Sequence, residues 1–203
     1  MTKPVQRPAF VPTRRNFGGR RSNIVEAAMN LVLIGYRCTG KTTIGEILAE
    51  RLGRPLVDTD TLIQERAGRS IKEIVADGGW PEFRRLERDV IADVAARERQ
   101  IISAGGGAVL DEENRNALRA NGRVVLLTAG PEVIWDRMKA DPKTAAERPD
   151  LTDSGGIAEI RNLLRQRQPT YLAACHYEIQ TDRFSPAETA GRLLAWLKAN
   201  RNL

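Results

Sequence analysis

The 203-residue sequence contains little aromatic residue, histidine or cysteine. Phe, Trp and Tyr make up 5% of it, and the three tryptophans are spread along the chain, which indicates packing residues rather than a base-stacking platform. The single histidine, His176, has no metal-ligand or catalytic partner at a suitable spacing, so we expect it to be structural. Two cysteines, Cys38 and Cys175, are too few for a disulfide framework and favour a reducing, cytoplasmic compartment.

Long apolar runs are also missing. No run approaches the ~20 residues that a membrane-spanning helix needs, which argues against a membrane partner. Hydrophobic residues make up 41% of the chain and charged residues 29%, a composition typical of soluble globular proteins. The chain length fits one domain.

Acidic side chains are absent from residues 1–25, which carry six of the 32 basic residues. The other 26 basic residues balance 26 acidic ones, so the net charge of +6 belongs to this tail. Three prolines and Gly18-Gly19 oppose a regular helix, and the tail has no apolar core of a secretory signal. We therefore expect residues 1–28 to be a disordered basic extension of a folded domain at residues 29–203. Nucleic acid is not an expected partner of the domain itself.

The segment Gly35–Thr42 reads Gly-Tyr-Arg-Cys-Thr-Gly-Lys-Thr and fits the phosphate-binding loop pattern. It follows an apolar run, Leu31–Ile34, and precedes apolar residues at helical spacing. A helix that starts after such a loop presents free N–H groups to phosphate. The pattern predicts nucleoside triphosphate binding, with Lys41 at the β- and γ-phosphates and the Thr42 hydroxyl on Mg²⁺. The residues expected around the nucleotide phosphates are Gly35, Cys38, Thr39, Gly40, Lys41, Thr42 and Thr43.

Short apolar runs alternate with helical patterns along the rest of the chain. This alternation predicts an α/β fold, a three-layer parallel five-stranded sheet covered by helices on both faces. After the first strand, further strands are predicted to end at Val57, at Ser103, at Leu127 and at Ile179. Helices are predicted after Lys41, around Leu62, at residues 70–76, 81–97, 111–120, 131–138, 157–164 and 186–198. Residues 140–156 have no hydrophobic periodicity and the composition of a mobile lid.

Two carboxylates follow the second predicted strand. On an extended segment Asp58 and Asp60 would point the same way, and ligands of parallel sheets bind beyond the carboxyl ends of the strands. One carboxylate would serve Mg²⁺, and the other would accept the proton of a hydroxyl that attacks the γ-phosphate. The alternative is a helix cap, with Thr59 and Asp60 satisfying free N–H groups.

Arginines and glycines supply the other candidate site residues. Either Arg84 or Arg85 could turn inward to bind an anionic acceptor, and we favour Arg84 because it adjoins the core residue Phe83. The run Gly105–Gly107 permits close approach of a ligand to the backbone. Arg148 in the lid segment would neutralise charge on the phosphates. The alternative for each arginine is an ordinary surface charge.

These motifs together resemble the shikimate kinase family, which belongs to the P-loop folds related to nucleoside monophosphate kinases. The resemblance covers about residues 30–200. It depends on the Gly35–Thr43 loop, Asp58-Thr59-Asp60, Phe83-Arg84, Gly105-Gly106-Gly107, Arg148-Pro149 and Arg167-Gln168-Pro169-Thr170-Tyr171.

The resemblance implies ATP-dependent phosphorylation of shikimate at its 3-hydroxyl, in aromatic amino-acid biosynthesis. Separately, we expect the protein to be a monomer. The resemblance also implies a sheet order of 2-3-1-4-5. Asp60 would bind the ring hydroxyls and act as the base, and Asp58 would lie in the outer shell of Mg²⁺. Arg84 and Arg167 would hold the carboxylate, with the backbone of Gly105 and Gly106 against the ring. The implied nucleotide-binding residues outside the phosphate loop are Arg137, Pro186 and the lid residue Arg148.

The sequence departs from the family pattern at several positions. Trp80-Pro81 stands where Gly-Glu is usual, Pro149 is followed by Asp150 rather than leucine, and Phe184 replaces a common arginine. Two alternative functions remain open. One is a kinase for another polyol acid such as gluconate, and the other is a non-catalytic nucleotide-binding module tethered to nucleic acid by the basic tail.

Overall fold

Residues 29–141 and 156–200 are described by a computed structural model of the chain. The expected basic extension, the greater part of the predicted lid and its Arg148 lie outside these residues. The described strands are β1 Asn30–Ile34, β2 Leu56–Asp58, β3 Ile101–Ser103, β4 Gly122–Thr128 and β5 Tyr177–Gln180. The described α-helices are α1 Lys41–Leu52, α2 Thr59–Ala67, α3 Ile71–Ala95, α4 Glu112–Ala120, α5 Pro131–Ala140, α6 Gly156–Ala174 and α7 Pro186–Ala199.

All five strands are parallel and lie in the order β2-β3-β1-β4-β5. This confirms the predicted parallel five-stranded sheet and the order that the family resemblance implied. The order places β1 between β3 and β4, so the segments that follow these three strands leave the sheet side by side. The phosphate loop after β1 therefore borders the glycine run after β3.

The strand residues alternate between two apolar cores. Leu31 and Leu33 face α1 and α7, in a cluster that includes Leu48 and Leu193. Val32 and Ile34 face the opposite side, where α2, α3, α4 and α6 contribute to a second and larger cluster. Helices thus cover both faces of the sheet, and the predicted three-layer architecture is confirmed.

Two helices differ from the predicted bounds in ways that affect the site. The predicted helices at 70–76 and 81–97 form one element, α3, with a kink at Gly79, whose φ of 70° and ψ of 179° are not helical. Pro81 starts the second part, where its missing N–H costs no hydrogen bond. Helix α6 continues to Ala174, ten residues beyond the prediction, and contains Pro169.

The one histidine has a structural role, as expected. His176 Nδ1 accepts a hydrogen bond from the Val124 backbone N–H at 2.9 Å, and the His176 N–H donates to the Val124 carbonyl at 2.8 Å. Burial, together with Arg119 and Arg123, lowers the pKa of its imidazole. In the described residues no helix combines the length and the apolar character needed to cross a membrane.

Candidate active site

The phosphate loop leaves β1 and ends at the first residue of α1. Gly40 occupies the N-cap position with a φ of 91°, a left-handed conformation that suits glycine. The cap has no side-chain hydrogen bond and the first turn of α1 contains no acid, so its N–H groups remain available to an anion. The Lys41 ammonium lies over the loop and donates to the carbonyls of Gly35 at 3.0 Å and Tyr36 at 2.8 Å.

Asp58 connects the loop to two neighbouring elements. Its Oδ2 accepts hydrogen bonds from the hydroxyls of Thr42 and Ser103, each at 3.0 Å. Its Oδ1 accepts from the backbone N–H groups of Asp60 at 3.1 Å and Thr61 at 3.3 Å, so Asp58 is the N-cap of α2. The prediction that Asp58 and Asp60 share an extended segment is therefore wrong, because the chain turns into a helix between them. Asp58 itself, rather than Thr59 or Asp60, caps the helix. It also lines a cavity at the phosphate loop, so a capping role and a place in the site do not exclude each other.

Asp60 lies in the first turn of α2 and is 9% exposed. It borders a cavity of about 370 Å³ that Lys41, Thr42 and Asp58 also line. It also borders a smaller cavity of about 60 Å³, lined by arginines and a glutamate. We call these the phosphate cavity and the acceptor cavity. A group bound in one could reach a group bound in the other beside the Asp60 carboxylate.

The acceptor cavity contains a buried ion pair from α3. Arg84 turns inward and its Nη1 donates to Glu87 Oε2, whereas Arg85 is exposed and pairs with Glu82 and Asp89. Glu87 is 1% exposed. Burial raises the pKa of the Glu87 carboxyl above its ordinary value, although the Arg84 charge partly opposes this shift.

The aromatic part of the cavity wall orients Arg84. Its guanidinium lies 5.6 Å from the Trp80 ring centroid and 5.2 Å from that of Phe83. Trp80 therefore packs, as expected, but it also lines the cavity. Arginine held against aromatic faces keeps its charge while losing little conformational freedom.

The triple glycine borders the acceptor cavity, which Gly106 and Gly107 line. A Cβ on Gly105 would lie 2.5 Å from Asp60 Oδ1, and one on Gly107 would lie 2.5 Å from Arg84 Nη2. The side chains of Asp60 and Arg84 thus approach the backbone of this run closely. A Cβ on Gly106 would lie 3.4 Å from the Arg37 backbone nitrogen, which shows how closely this run borders the phosphate loop.

Helix α6 brings two side chains to the Gly106 carbonyl. Arg167 Nη1 donates to it at 3.4 Å and the Tyr171 hydroxyl donates to the same oxygen. Arg167 lines the acceptor cavity, so the structure brings it together with Arg84 and Asp60. These are the three side chains that the family resemblance assigns to the acceptor.

Two buried side-chain polar atoms within residues 29–141 and 156–200 lack a hydrogen-bond partner. They are the Tyr36 hydroxyl and Glu87 Oε1, and both residues line the acceptor cavity. Unpaired buried polar atoms are costly and usually have a function. Their placement gives the acceptor cavity two polar atoms with which water or a polar ligand can pair.

A third cavity, of about 270 Å³, also borders the phosphate loop, at Cys38 and Gly40. Arg137 and Pro186 both line it, so the structure brings these two predicted residues together. Arg137 donates to the Cys38 carbonyl at 3.2 Å and to the Thr181 carbonyl and hydroxyl, each at 3.1 Å. Phe184 stacks under the Arg192 guanidinium, 3.8 Å from its ring centroid.

Several residues of the site escaped the sequence analysis. Glu87 is the clearest, because a glutamate among the charged residues of a helix usually lies at the surface. Its helical phase was the available signal: Phe83, Glu87, Val90 and Val94 form the buried stripe of α3. Tyr171 and Arg167 both lie beyond the predicted end of their helix at residue 164. The sequence therefore did not predict that the two side chains share one face of α6.

The residues around Thr42 suit a magnesium ion. A hydroxyl and a carboxylate are hard oxygen donors of the kind that Mg²⁺ prefers. In the part of the chain that the structure describes, no three His, Cys, Asp or Glu side chains form a metal cluster. A cation beside Thr42 and Asp58 would therefore take its other ligands from phosphate and water, which is usual for Mg²⁺.

Comparison with known proteins agrees with this geometry. The family model described as "Shikimate kinase" matches residues 37–198. The shikimate kinase of Symbiobacterium thermophilum is 44% identical over 170 residues, which cover 84% of this chain and 97% of the relative. That of Syntrophus aciditrophicus is 41% identical over 180 residues, covering 85% and 92%.

Solved structures give the same result. The structure of shikimate kinase from Acinetobacter baumannii in complex with shikimate is 31% identical, with a TM-score of 0.81, and covers 88% of this chain and 97% of that one. Shikimate kinase from Aquifex aeolicus is 31% identical, with a TM-score of 0.70 and coverage of 85% and 98%. The family model spans most of the chain, and these relatives are matched over nearly their whole length. This chain belongs to the shikimate kinase family.

Proposed function

We propose that this chain transfers the γ-phosphoryl group of ATP to the 3-hydroxyl of shikimate, giving shikimate 3-phosphate and ADP. The observation that carries the proposal is the position of Asp60 on the walls of both the phosphate cavity and the acceptor cavity. Phosphoryl transfer requires the attacking hydroxyl and the phosphate to meet beside a group that takes the proton.

The acceptor cavity suits a small hydroxylated acid. Arg84 and Arg167 offer two guanidinium groups to one carboxylate, the pairing for which arginine geometry is best suited. Glu87 Oε1 and the Tyr36 hydroxyl are available to ring hydroxyls. The backbone of Gly105 and Gly106 would pack against the ring, and Gly106 lines the acceptor cavity.

Asp60 is the general base in this proposal. As the 3-hydroxyl oxygen forms its bond to the γ-phosphorus, the Asp60 carboxylate takes the hydroxyl proton. The bond between that phosphorus and the β,γ-bridging oxygen breaks, and ADP leaves with the bridging oxygen. The carboxylate is held beside the reacting centre by the first turn of α2, whose N-terminus Asp58 caps.

The donor site consists of the phosphate loop and its neighbours. Lys41 and the free N–H groups at the start of α1 hold the β- and γ-phosphates, and the third cavity, between Arg137 and Pro186, receives adenine. Thr42 would hold Mg²⁺ directly and Asp58 would hold it through water. When bound, the cation neutralises negative charge that develops on the phosphate oxygens.

Parts of the proposal concern residues outside the described ranges. Arg148 would close over the phosphates, within a lid at about residues 140–156. Residues 1–28 would be a basic extension that takes no part in catalysis. We further propose a cytoplasmic monomer that binds neither membrane nor nucleic acid.

A substrate panel tests the proposal. Purified protein is given ATP and Mg²⁺ with shikimate, gluconate or other small hydroxy acids, and ADP release is measured for each. We expect turnover with shikimate to exceed that with every other acid by at least 10²-fold, because a site built for specific polar groups rejects ligands that leave them unpaired. Faster turnover with gluconate than with shikimate would show that gluconate is the acceptor. No turnover with any acid would favour a non-catalytic nucleotide-binding module.

A further inference from the structure

We propose that Tyr171 is a positioning residue for the acceptor carboxylate. Its phenol hydroxyl satisfies the Gly106 carbonyl, and this keeps the Arg167 guanidinium available to the substrate. The inference rests on the proposed function, because it assumes that Arg167 binds a carboxylate in the acceptor cavity.

The competition centres on one backbone oxygen. Tyr171 and Arg167 lie four residues apart on α6, so their side chains emerge from the same face one turn apart. Both donate to the Gly106 carbonyl. The bond from Arg167 is 3.4 Å long, beyond the usual range of about 2.7–3.2 Å, whereas the bond from Tyr171 is short. The phenol therefore dominates this carbonyl and Arg167 is held only loosely.

This loose contact matters when a carboxylate enters the cavity. Arg167 must turn its donors from the carbonyl to the ligand, and an acceptor abandoned in a partly buried site costs free energy. Tyr171 prevents that loss, since it keeps the oxygen paired whichever way Arg167 points. Without the phenol, the carbonyl would bind the charged donor more tightly and compete with the substrate.

The environment of Tyr171 suits a permanent donor. The side chain is 4% exposed and packs in the larger apolar cluster. Burial raises the pKa of its phenol, while the nearby Arg167 and Arg84 charges act in the opposite direction. The hydroxyl keeps its proton throughout the neutral pH range.

Loss of the hydroxyl should leave the glycine run in place. The Gly105 N–H donates to the Thr59 hydroxyl at 2.9 Å, and the Ala108 N–H donates to the Gly105 carbonyl at 3.0 Å. These bonds hold the run from its other side. Tyr171→Phe therefore removes one donor and little else.

Steady-state kinetics and thermal unfolding of Tyr171→Phe test the proposal. We expect the KM for shikimate to rise about fivefold to tenfold, which is the range for one lost hydrogen bond, with kcat and the KM for ATP within twofold of wild type. Tyr177→Phe is the matched control. Its ring stacks on Trp196 in the opposite apolar core, so we expect wild-type constants.

A second pair of variants checks that Tyr171 acts through Arg167. In an Arg167→Ala background, Tyr171→Phe should raise the KM for shikimate by less than twofold, because no guanidinium remains to be released. An unchanged KM in the single variant would overturn the proposal. A lowered Tm with equal losses for ATP and shikimate would also overturn it, by showing a purely structural role. Absence of shikimate turnover in the wild-type protein would instead refute the proposed function.

Discussion

The phosphate cavity and the acceptor cavity share Asp60 but are built on different principles. The phosphate cavity takes five of its lining residues from the phosphate loop and the start of α1, where backbone N–H groups supply much of the chemistry. The acceptor cavity takes charged side chains from the phosphate loop, α2, α3 and α6, between Arg37 and Arg167. Its chemistry depends on these side-chain charges, which include the Arg84–Glu87 ion pair, more than on the backbone.

This difference separates generic function from specific function. Backbone N–H groups at a helix start bind phosphate in many unrelated proteins, so the phosphate cavity identifies only the donor. Buried charges need exact partners, because an unpaired one is costly. The proposed function therefore predicts that substitutions in the acceptor cavity affect shikimate binding far more than ATP binding.

The largest expected effect comes from the residue that the cavities share. Asp60→Asn should lower kcat by ~10²–10⁴-fold while ATP binding persists, because the amide cannot take the hydroxyl proton. Turnover and ATP affinity are measured side by side. Asp77→Asn is the control, since Asp77 is exposed and pairs with the exposed Arg69. If the turnover of Asp60→Asn stays within a few-fold of wild type, Asp60 is not the general base.

A steric change should come next. A methyl group at Gly105 would meet Asp60 Oδ1 at 2.5 Å and Glu87 Oε1 at 3.1 Å, so Gly105→Ala must displace a carboxylate. We expect kcat/KM for shikimate to fall by about 10²-fold, the order that a displacement of about 1 Å produces. Gly191→Ala in α7 is the control, because the nearest atom to its Cβ is 3.8 Å away. Equal kinetics for the two variants would refute the steric account.

Loss of one arginine should have a smaller and more selective effect. Arg84→Ala or Arg167→Ala removes a charge-assisted pair worth roughly 1.5–3 kcal/mol, so the KM for shikimate should rise about 10- to 10²-fold. The KM for ATP should hardly change. Arg85→Ala is the matched control for Arg84, since its exposed ion pairs contribute little. If neither variant changes the KM for shikimate, the ligand does not bind in this cavity.

The smallest effect concerns pH. Because the pKa of Glu87 is raised, its carboxylate takes up a proton at a higher pH than an ordinary glutamate does. Arg84 then loses its charged partner over that range of pH. The KM for shikimate should rise a few-fold as pH falls through that range. Glu87→Gln should instead show a higher KM with a flatter pH profile. An identical acid limb in both proteins would assign the titration to another group.

The raised pKa of Glu87 also predicts how the free energy of unfolding changes with pH. A carboxyl whose pKa is raised in the folded state stabilises the protein fully below its unfolded value of about 4.5, and this contribution is lost as pH rises through the folded pKa. The Tm difference between wild type and Glu87→Gln should therefore change in favour of wild type on acidification. Unfolding curves at several pH values measure it.

Much of the fold was predictable because its signals are local. Apolar runs of strand length, Pro131 and Pro186 at helix starts, and Asp111 before a helix all act within one or two turns. Some local signals were still misjudged, because α2 starts between Asp58 and Asp60 and α6 continues to Ala174. The contacts that the sequence could not predict join residues distant in sequence, such as the hydrogen bonds that Asp58 accepts from Thr42 and Ser103.

The sequence by itself determined the parallel α/β architecture, the phosphate loop and its lysine, because strand periodicity and helix-start chemistry are encoded in consecutive residues. Only the tertiary structure decided which charges are buried. Arg84 and Arg85 are adjacent in sequence, yet one pairs with the buried Glu87 and the other with exposed acids. Helical phase relative to the sheet makes that choice, and the desolvation that follows turns an ordinary ion pair into part of an acceptor site.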